Sequence, residues 1–247
     1  MLEKLPYELL HNSFCKRILG VYKSTSNNLC RSEMGRHPLS IYVIMSVIKY
    51  WLYIIKLDNK RIVYHAYRND LTFNTHRKSS WVTFIREILY KLNFSHVWET
   101  EQVTNEKLFI KSIKCKLLDV FGLEEHTNSQ LYLGQNIPVK YRKAISKLRL
   151  RSNRLQIVRG KYTKIPRDER YCTFCLPKKI IEDEHHFILS CPKHKSRRAE
   201  MFKKIKDIDP TFEFLQDAEK VKYLLCPTSS TVSCAIGRYI HESFMYY

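Results

Sequence analysis

The chain reads as mainly α: a helical bundle-like body that carries a small zinc-stabilised knuckle and a set of C-terminal helices. Three observations carry that reading. Apolar residues recur at three- and four-residue intervals through most of the chain, the spacing that gathers them on one helical face. No alternating run bounded by hairpin turns competes with them. Three of the eight cysteines crowd into the twenty residues from Cys172 to Cys191.

In order, Tyr7 to Leu19 puts Leu10, Phe14 and Ile18 on one helical face, and Gly20 supplies the stop. Ser24 to Asn28 offers N-cap chemistry for a short helix over Leu29 to Met34, which Gly35 ends. Pro38 sits where a first turn tolerates a missing N–H and launches a helix over Leu39 to Leu57. That segment has about the length needed to span a bilayer, but it contains Lys49 and Lys56. A lysine near the bilayer centre costs roughly 3 kcal/mol, so the expectation is a buried core helix and no membrane partner.

Asp58-Asn59 breaks this helix and Ile62 to Tyr67 resumes helical character. The polar stretch Thr75 to Ser80 interrupts again before Trp81, Phe84, Ile88 and Leu92 recur at helical spacing. A further helix is expected from Asn105 to Phe121, with Leu108, Ile110, Ile113, Leu117 and Val120 on or near one face. After Pro210 the pattern shortens. One helix takes in Tyr223 to Leu225, and Val232, Ile236, Tyr239, Ile240 and Phe244 give the last helix its apolar face. The expected organisation is a helical body over 1–135, a basic helix and approach segment over 136–169, the knuckle over 170–198, and C-terminal helices over 199–247 packing on the body.

The 247 residues and 44% hydrophobic content suffice for a buried core. The loudest global number is the charge: 43 Lys and Arg stand against 24 Asp and Glu, a formal +19. A field of that sign favours phosphate polyanions or an anionic membrane surface and says little about fold. Met1 to Glu8 shows no apolar signal core behind a basic start, so an intracellular protein of nucleus or cytoplasm, not a secreted one, is expected. Cysteines there stay reduced, which favours thiolate–metal chemistry over disulfides.

Cys172 and Cys175 form a Cys-x2-Cys hook, whose tight turn lets two sulfurs face one ion. His186 and Cys191, spaced His-x4-Cys, complete a tetrahedral set, with Phe187, Ile188 and Leu189 starting an apolar face that locks the histidine. His194 offers a rival set, Cys-x2-Cys with Cys-x2-His, and His185 is a third candidate. Four protein ligands leave no open position for water or substrate, so the expected ion is structural Zn2+ that contributes folding energy.

Basic residues bracket this segment. From His126 to Arg167 there is no acidic residue, and Pro138 to Arg167 carries eleven basic ones. If Pro138 opens one continuous helix, Lys140, Lys143, Lys147, Arg151 and Arg154 share a stripe, while Tyr141, Ile145 and Leu148 lie on another face. Solvated helix faces normally interleave acids for pairing, so the stripe is a phosphate-facing candidate. Arg159, Lys161, Lys164 and Arg167 carry the basic run to the hook, and Lys193, Lys195, Arg197 and Arg198 follow it. Together these thirteen cations are the expected contacts to RNA or DNA backbone, and Tyr162, Tyr171 and Phe174 could stack on unpaired bases.

The chain contains no Asp-Asp polymerase motif, Gly-x4-Gly-Lys loop, Gly-x-Ser-x-Gly elbow or His-Glu-x2-His pattern. The expectation is a protein with no active site of its own. The run Lys147 to Leu155, then Arg159-Gly160-Lys161-Tyr162, Arg170-x-Cys172-x2-Cys175, Glu184-x-His186-Phe187 and Cys191-Pro192 resembles the C-terminal part of non-LTR, LINE-type retrotransposon reverse-transcriptase polyproteins. Phe14, Ile18-Leu19-Gly20-Val21, Glu33-Met34-Gly35 and Pro38-Leu39 are similar to the helical region that follows the polymerase in that family. The resemblance runs from about Tyr7 to Phe244. It implies a helical, nucleic-acid-handling region with His186 as the fourth ligand, because Phe187 and the gap to Cys191 match the family pattern. It also implies a possible polymerase domain, upstream or in trans, for which this part would position template. A structural protein-interaction module, or a decayed remnant, is the remaining class.

Overall fold

In this computed structural model, which describes residues 5–73, 80–124 and 128–245, the chain is mainly helical, and among those residues its β pairing is confined to two isolated bridges. The chain runs through α1 (Pro6–Leu19), α2 (Asn27–Glu33), α3 (Leu39–Ile54), α4 (Ile62–Phe73) and α5 (Trp81–Lys91). It continues through α6 (Ser95–Thr100), α7 (Glu106–Phe121), α8 (Leu131–Gly134), α9 (Val139–Arg149) and α10 (Gln156–Tyr162). After the cysteine segment come α11 (Lys195–Ile208), α12 (Asp217–Leu225) and α13 (Ser230–Phe244). No helix among the described residues is long and apolar enough to cross a membrane.

The chain divides into two compact units, residues 1–9 with 37–127 and residues 10–36 with 128–247. The first is organised on α3. Its amino end is capped by Glu8, whose carboxylate accepts from the backbone N–H and the hydroxyl of Ser40 at 2.6 and 2.7 Å, a favourable placement of negative charge at the positive end of a helix. Ile44, Ile48, Trp51 and Leu52 are buried in one cluster with Val82, Ile85 and Leu89 of α5 and Ile113 and Leu117 of α7. The expected core helix is therefore present, but it ends at Ile54 and not at Leu57.

Two faces in this unit differ from expectation. In α5 the buried positions are Val82, Thr83, Ile85 and Leu89, whereas of the expected Trp81, Phe84, Ile88 and Leu92 only Leu92, just past the helix, is buried, with Trp81 and Ile88 partly buried against the core. The Ser80 hydroxyl accepts from the Thr83 N–H and fixes the start of the helix. In α7, Ile113 and Leu117 are buried as expected, while Leu108 and Val120 are exposed and Phe109 and Leu118 are buried instead. Aromatic and aliphatic residues occur on both sides of each helix, so apolar spacing alone leaves two admissible faces. Of the polar break at Thr75 to Ser80, 75–79 lie outside the described residues.

The second unit is built around α13, which lies along α9. Gly237 makes the approach possible: a Cβ there would come 2.5 Å from that of Tyr141. Val232, Ile236, Tyr239 and Ile240 of α13 are buried as predicted, the last three in one cluster with Ile145 and Leu148 of α9. In α1 the expectation fails. Leu10 and Phe14 are 73% and 48% exposed and Ile18 is exposed too, whereas His11, Asn12, Cys15 and Leu19 are buried. Cys15 and Leu19 pack with Cys30 and Leu150, and the Asn12 side-chain oxygen accepts from buried Arg31 at 3.0 Å. A polar network and two thiols thus decide the inward face of α1.

The predicted continuous basic helix is also corrected. α9 stops at Arg149 and its C-cap is Leu150. Arg151 then takes a left-handed φ of 50°, its N–H donating to the Leu148 carbonyl at 3.3 Å and that of Ser152 to the Lys147 carbonyl at 2.8 Å. This closing pattern normally recruits glycine; here arginine fills it. Lys140, Lys143 and Lys147 therefore lie on α9 and Arg151 and Arg154 on the loop beyond it, so the five do not form one helical stripe. Lys143 is further removed from solvent by packing its stem against Gly20, whose φ of 68° closes α1.

Candidate metal centre

The cysteine segment is a short hairpin followed by one helical turn. Tyr171 and Ile181 form an isolated antiparallel bridge. Beside it the Cys172 N–H donates to the Ile180 carbonyl at 2.7 Å, and the Glu182 N–H to the Arg170 carbonyl at 2.9 Å. The hook turns tightly between them, the Cys175 N–H reaching the Cys172 carbonyl at 3.2 Å. On the far side His186–Ser190 forms a turn of π-helix. Its start is held by Asp183, whose carboxylate accepts from the His186 N–H at 2.8 Å, and its end by the Cys191 N–H donating to the His186 carbonyl at 2.8 Å.

These constraints bring Cys172, Cys175, His186 and Cys191 together, one donor atom from each lying within 4.8 Å of all the others, all four residues buried. The Sγ atoms of Cys172 and Cys191 are 3.9 Å apart and Cys175 Sγ is 3.3 Å from His186 Nε2. A tetrahedron with metal–sulfur bonds of about 2.3 Å has edges of about 3.7 Å, so the donor set fits one tetrahedral ion. A disulfide needs about 2.05 Å between sulfurs, and none of the eight cysteines is in a disulfide. The other imidazole nitrogen, Nδ1, lies 3.2 Å from the Ser190 hydroxyl, the outer contact that fixes ring orientation in metal-bound histidines.

The electrostatics agree. Burial pushes the Cys172 thiol up to about 11 and raises Cys175 and Cys191 as well. Burial also lowers His186 and keeps it in the neutral form that can offer a lone pair. Three sulfurs in an environment that opposes bare thiolates need a cation to become ligands, and binding then releases their protons.

The rival histidines are placed elsewhere. His185 is exposed. His194 is fully buried outside the four-donor group, edge-on to Phe187 with centroids 5.0 Å apart and to Tyr239 at 6.2 Å. The knuckle is fastened to its unit by this same aromatic set. Phe187 stacks on Phe244 with centroids 4.9 Å apart, and the Tyr239 hydroxyl donates to the Phe187 carbonyl at 2.5 Å. The apolar lock expected after His186 is therefore present in Phe187 and Ile188.

Several positioning residues escaped the sequence reading. Glu182 is buried and caps α10: its carboxylate accepts from the Gln156 N–H at 2.7 Å and its carbonyl from that of Ile157 at 3.0 Å. Arg170 ties the knuckle to the same helix by donating to the carbonyls of Ile157 and Ile165 at 2.8 and 2.9 Å. Gly160 makes room for it, since a Cβ there would lie 2.6 Å from Arg170 Cγ. A carboxylate seven residues past a hook gives no periodic signal.

The thirteen predicted cations separate into groups. Arg154 and Arg159 line one hollow of about 340 Å3 with Tyr22 and Tyr162. Arg151, Lys161 and Arg167 line a neighbouring one of about 300 Å3 with Arg170. Lys164 is exposed just after α10. Lys140 lines a separate cleft with Lys204 and Arg238, while Lys143 and Lys147 are half-buried on α9. Beyond the knuckle, Lys193 sits over the Phe174 ring at 3.3 Å, Arg198 donates to the Cys191 carbonyl at 2.9 Å, Arg197 is half-buried and Lys195 is exposed. Compared with known proteins, the chain matches no family model, no curated protein and no solved structure.

Proposed function

We propose that this chain is a zinc-stabilised, non-catalytic nucleic-acid-binding region, related to the part that follows the polymerase in LINE-type reverse transcriptases. One observation carries the reading: a buried Cys172, Cys175, His186, Cys191 donor set inside a segment flanked on both sides by lysines and arginines. Three thiolates and one imidazole suit Zn2+, which has no geometric demand beyond the tetrahedron these donors supply. With all four positions taken by protein, the ion holds the knuckle and leaves the chemistry of substrates to other proteins. Reduced thiols suit an intracellular compartment.

Holding the knuckle fixes where the basic segments stand. α10 reaches the hook through Arg170 and Glu182, and α11 begins directly after His194. Phosphate contacts from these segments to RNA or DNA give affinity without sequence reading, with dissociation constants around 10⁻⁴–10⁻⁶ M at physiological salt and a steep fall as salt rises. The test is metal analysis of the purified protein joined to RNA and DNA titrations at two salt concentrations. The expected result is one zinc per chain and affinity that weakens strongly with salt. A metal-free folded protein, or binding no tighter than that of an unrelated protein of equal size and charge, overturns the proposal.

A further inference from the structure

Tyr162 ends α10 and stands on the wall of both hollows described above. The residue is 62% exposed, and its hydroxyl lies 3.3 Å from that of Ser24. Tyr22, itself exposed, shares one of the two walls, and its backbone N–H donates to the Ser152 hydroxyl at 2.7 Å. Two aromatic rings are therefore displayed on anchored backbone at the edge of concave surface.

The charge around them is of one sign. No carboxylate lines either hollow among the described residues. Arg159 and Lys161 are exposed on α10 and Arg167 just beyond it, and none of the three has a carboxylate within ion-pair distance among the described residues. Arg151, at the rim, is answered by Glu184 at 3.7 Å. Phe174, an exposed aromatic of the knuckle, differs: Lys193 already occupies its face. Of the three aromatics that the sequence singles out for stacking, Tyr162 combines an open ring with surrounding cations.

We propose that the two hollows flanking Tyr162 bind an unpaired stretch of single-stranded nucleic acid. One base stacks on Tyr162 with Tyr22 on the same wall, and the phosphates on either side reach Arg154 and Arg159 in one direction and Lys161 and Arg167 in the other. A duplex turns its base faces inward, so it can use the cations but not the rings; a splayed strand uses both. The base face and phosphate are common to RNA and DNA, and the site takes either. This inference rests on the nucleic-acid reading above and deepens it.

The experiment is anisotropy titration of the full, zinc-loaded chain with a short unstructured oligonucleotide, as RNA and as DNA, and with a hairpin duplex of equal charge. The variants are Tyr162→Ala, Tyr162→Phe, the pair Arg159→Ala with Arg167→Ala, and a control pair of equal charge loss in the other unit, Lys107→Ala with Lys111→Ala. Because Tyr162 is exposed, melting temperature and zinc content should be those of the parent. The expected result is single-strand affinity lowered about 5- to 150-fold by Tyr162→Ala, duplex affinity within about twofold, near-parental behaviour of Tyr162→Phe, and a flatter salt slope for the arginine pair than for the control pair. Loss with the arginine pair but none with Tyr162→Ala overturns the stacking site and leaves the broader reading standing, as does an equal loss on single strand and duplex. A parent chain that binds none of the three probes overturns both.

Discussion

The α3 unit and the cysteine knuckle hold themselves together by opposite means. Around α3, Ile48, Trp51, Ile85, Leu89 and Ile113 bury hydrocarbon against hydrocarbon, and burial of each such side chain stabilises by about 1.5–3 kcal/mol. The knuckle's own small cluster is three cysteines, joined by His186 and a few backbone hydrogen bonds. Its apolar residues, Phe187 and Ile188, belong to the core of the second unit. The α3 unit is held by an apolar core of its own, whereas the hairpin between Tyr171 and Ile181 has only its cysteine cluster, and under the zinc reading proposed above an ion would hold its donors together.

That contrast predicts which part fails first. Chelation should have the largest effect: if free zinc stands a thousandfold above its dissociation constant, its removal costs about 4 kcal/mol, or about 8–16 °C in melting temperature for a chain of this size. Hydrogen exchange should then show protection lost across 170–191 and along α10, with α3, α5 and α7 still protected; uniform loss across both units would break the comparison. Next, Ile48→Ala should cost about 2–4 kcal/mol as a buried large-to-small change, and zinc content measured on the same sample should not move.

A smaller effect is expected inside the second unit at a charge pair away from the metal. Arg149 contacts Glu33 at 2.6 Å, and Glu33 also accepts from the Tyr132 hydroxyl at 2.7 Å. Burial and Glu33 together raise the Tyr132 phenol, keeping it a hydroxyl donor. Replacing Arg149 by Met leaves a buried carboxylate without its cation and should cost about 2–3 kcal/mol by denaturant titration, again with zinc retained. The smallest effect belongs to Leu10→Ser: on an exposed position it should change stability by no more than about 0.5 kcal/mol. A cost of several kcal/mol there would mean that this face of α1 is covered in solution.

What could be read from the sequence follows the same division. That Cys172, Cys175, His186 and Cys191 come together was legible because a hook and a following His-x4-Cys are local spacings, and the turn chemistry that gathers them is local too. Helix ends at Gly20 and Gly35 were legible because glycine marks a left-handed residue. The end at Leu150 was not, because Arg151 adopts that conformation in place of glycine, and a basic stripe was extended through a turn. The inward face of α1 was hidden for another reason: Leu10, Phe14 and Ile18 outrank Cys15 and Asn12 in hydrophobicity, and only partners distant in sequence, Cys30, Leu150 and Arg31, reverse the order. Glu182 and Arg170 act on backbone atoms across the hairpin, a pairing that no periodicity displays.

The most direct measurement is zinc stoichiometry by native mass spectrometry of the parent chain beside His186→Ala and His194→Phe, the second keeping a ring within the Phe187 and Tyr239 aromatic set. The account predicts one zinc in the parent and in the His194 variant and none held by the His186 variant. Zinc retained without His186, or lost on changing His194 alone in a protein that still folds, would contradict it.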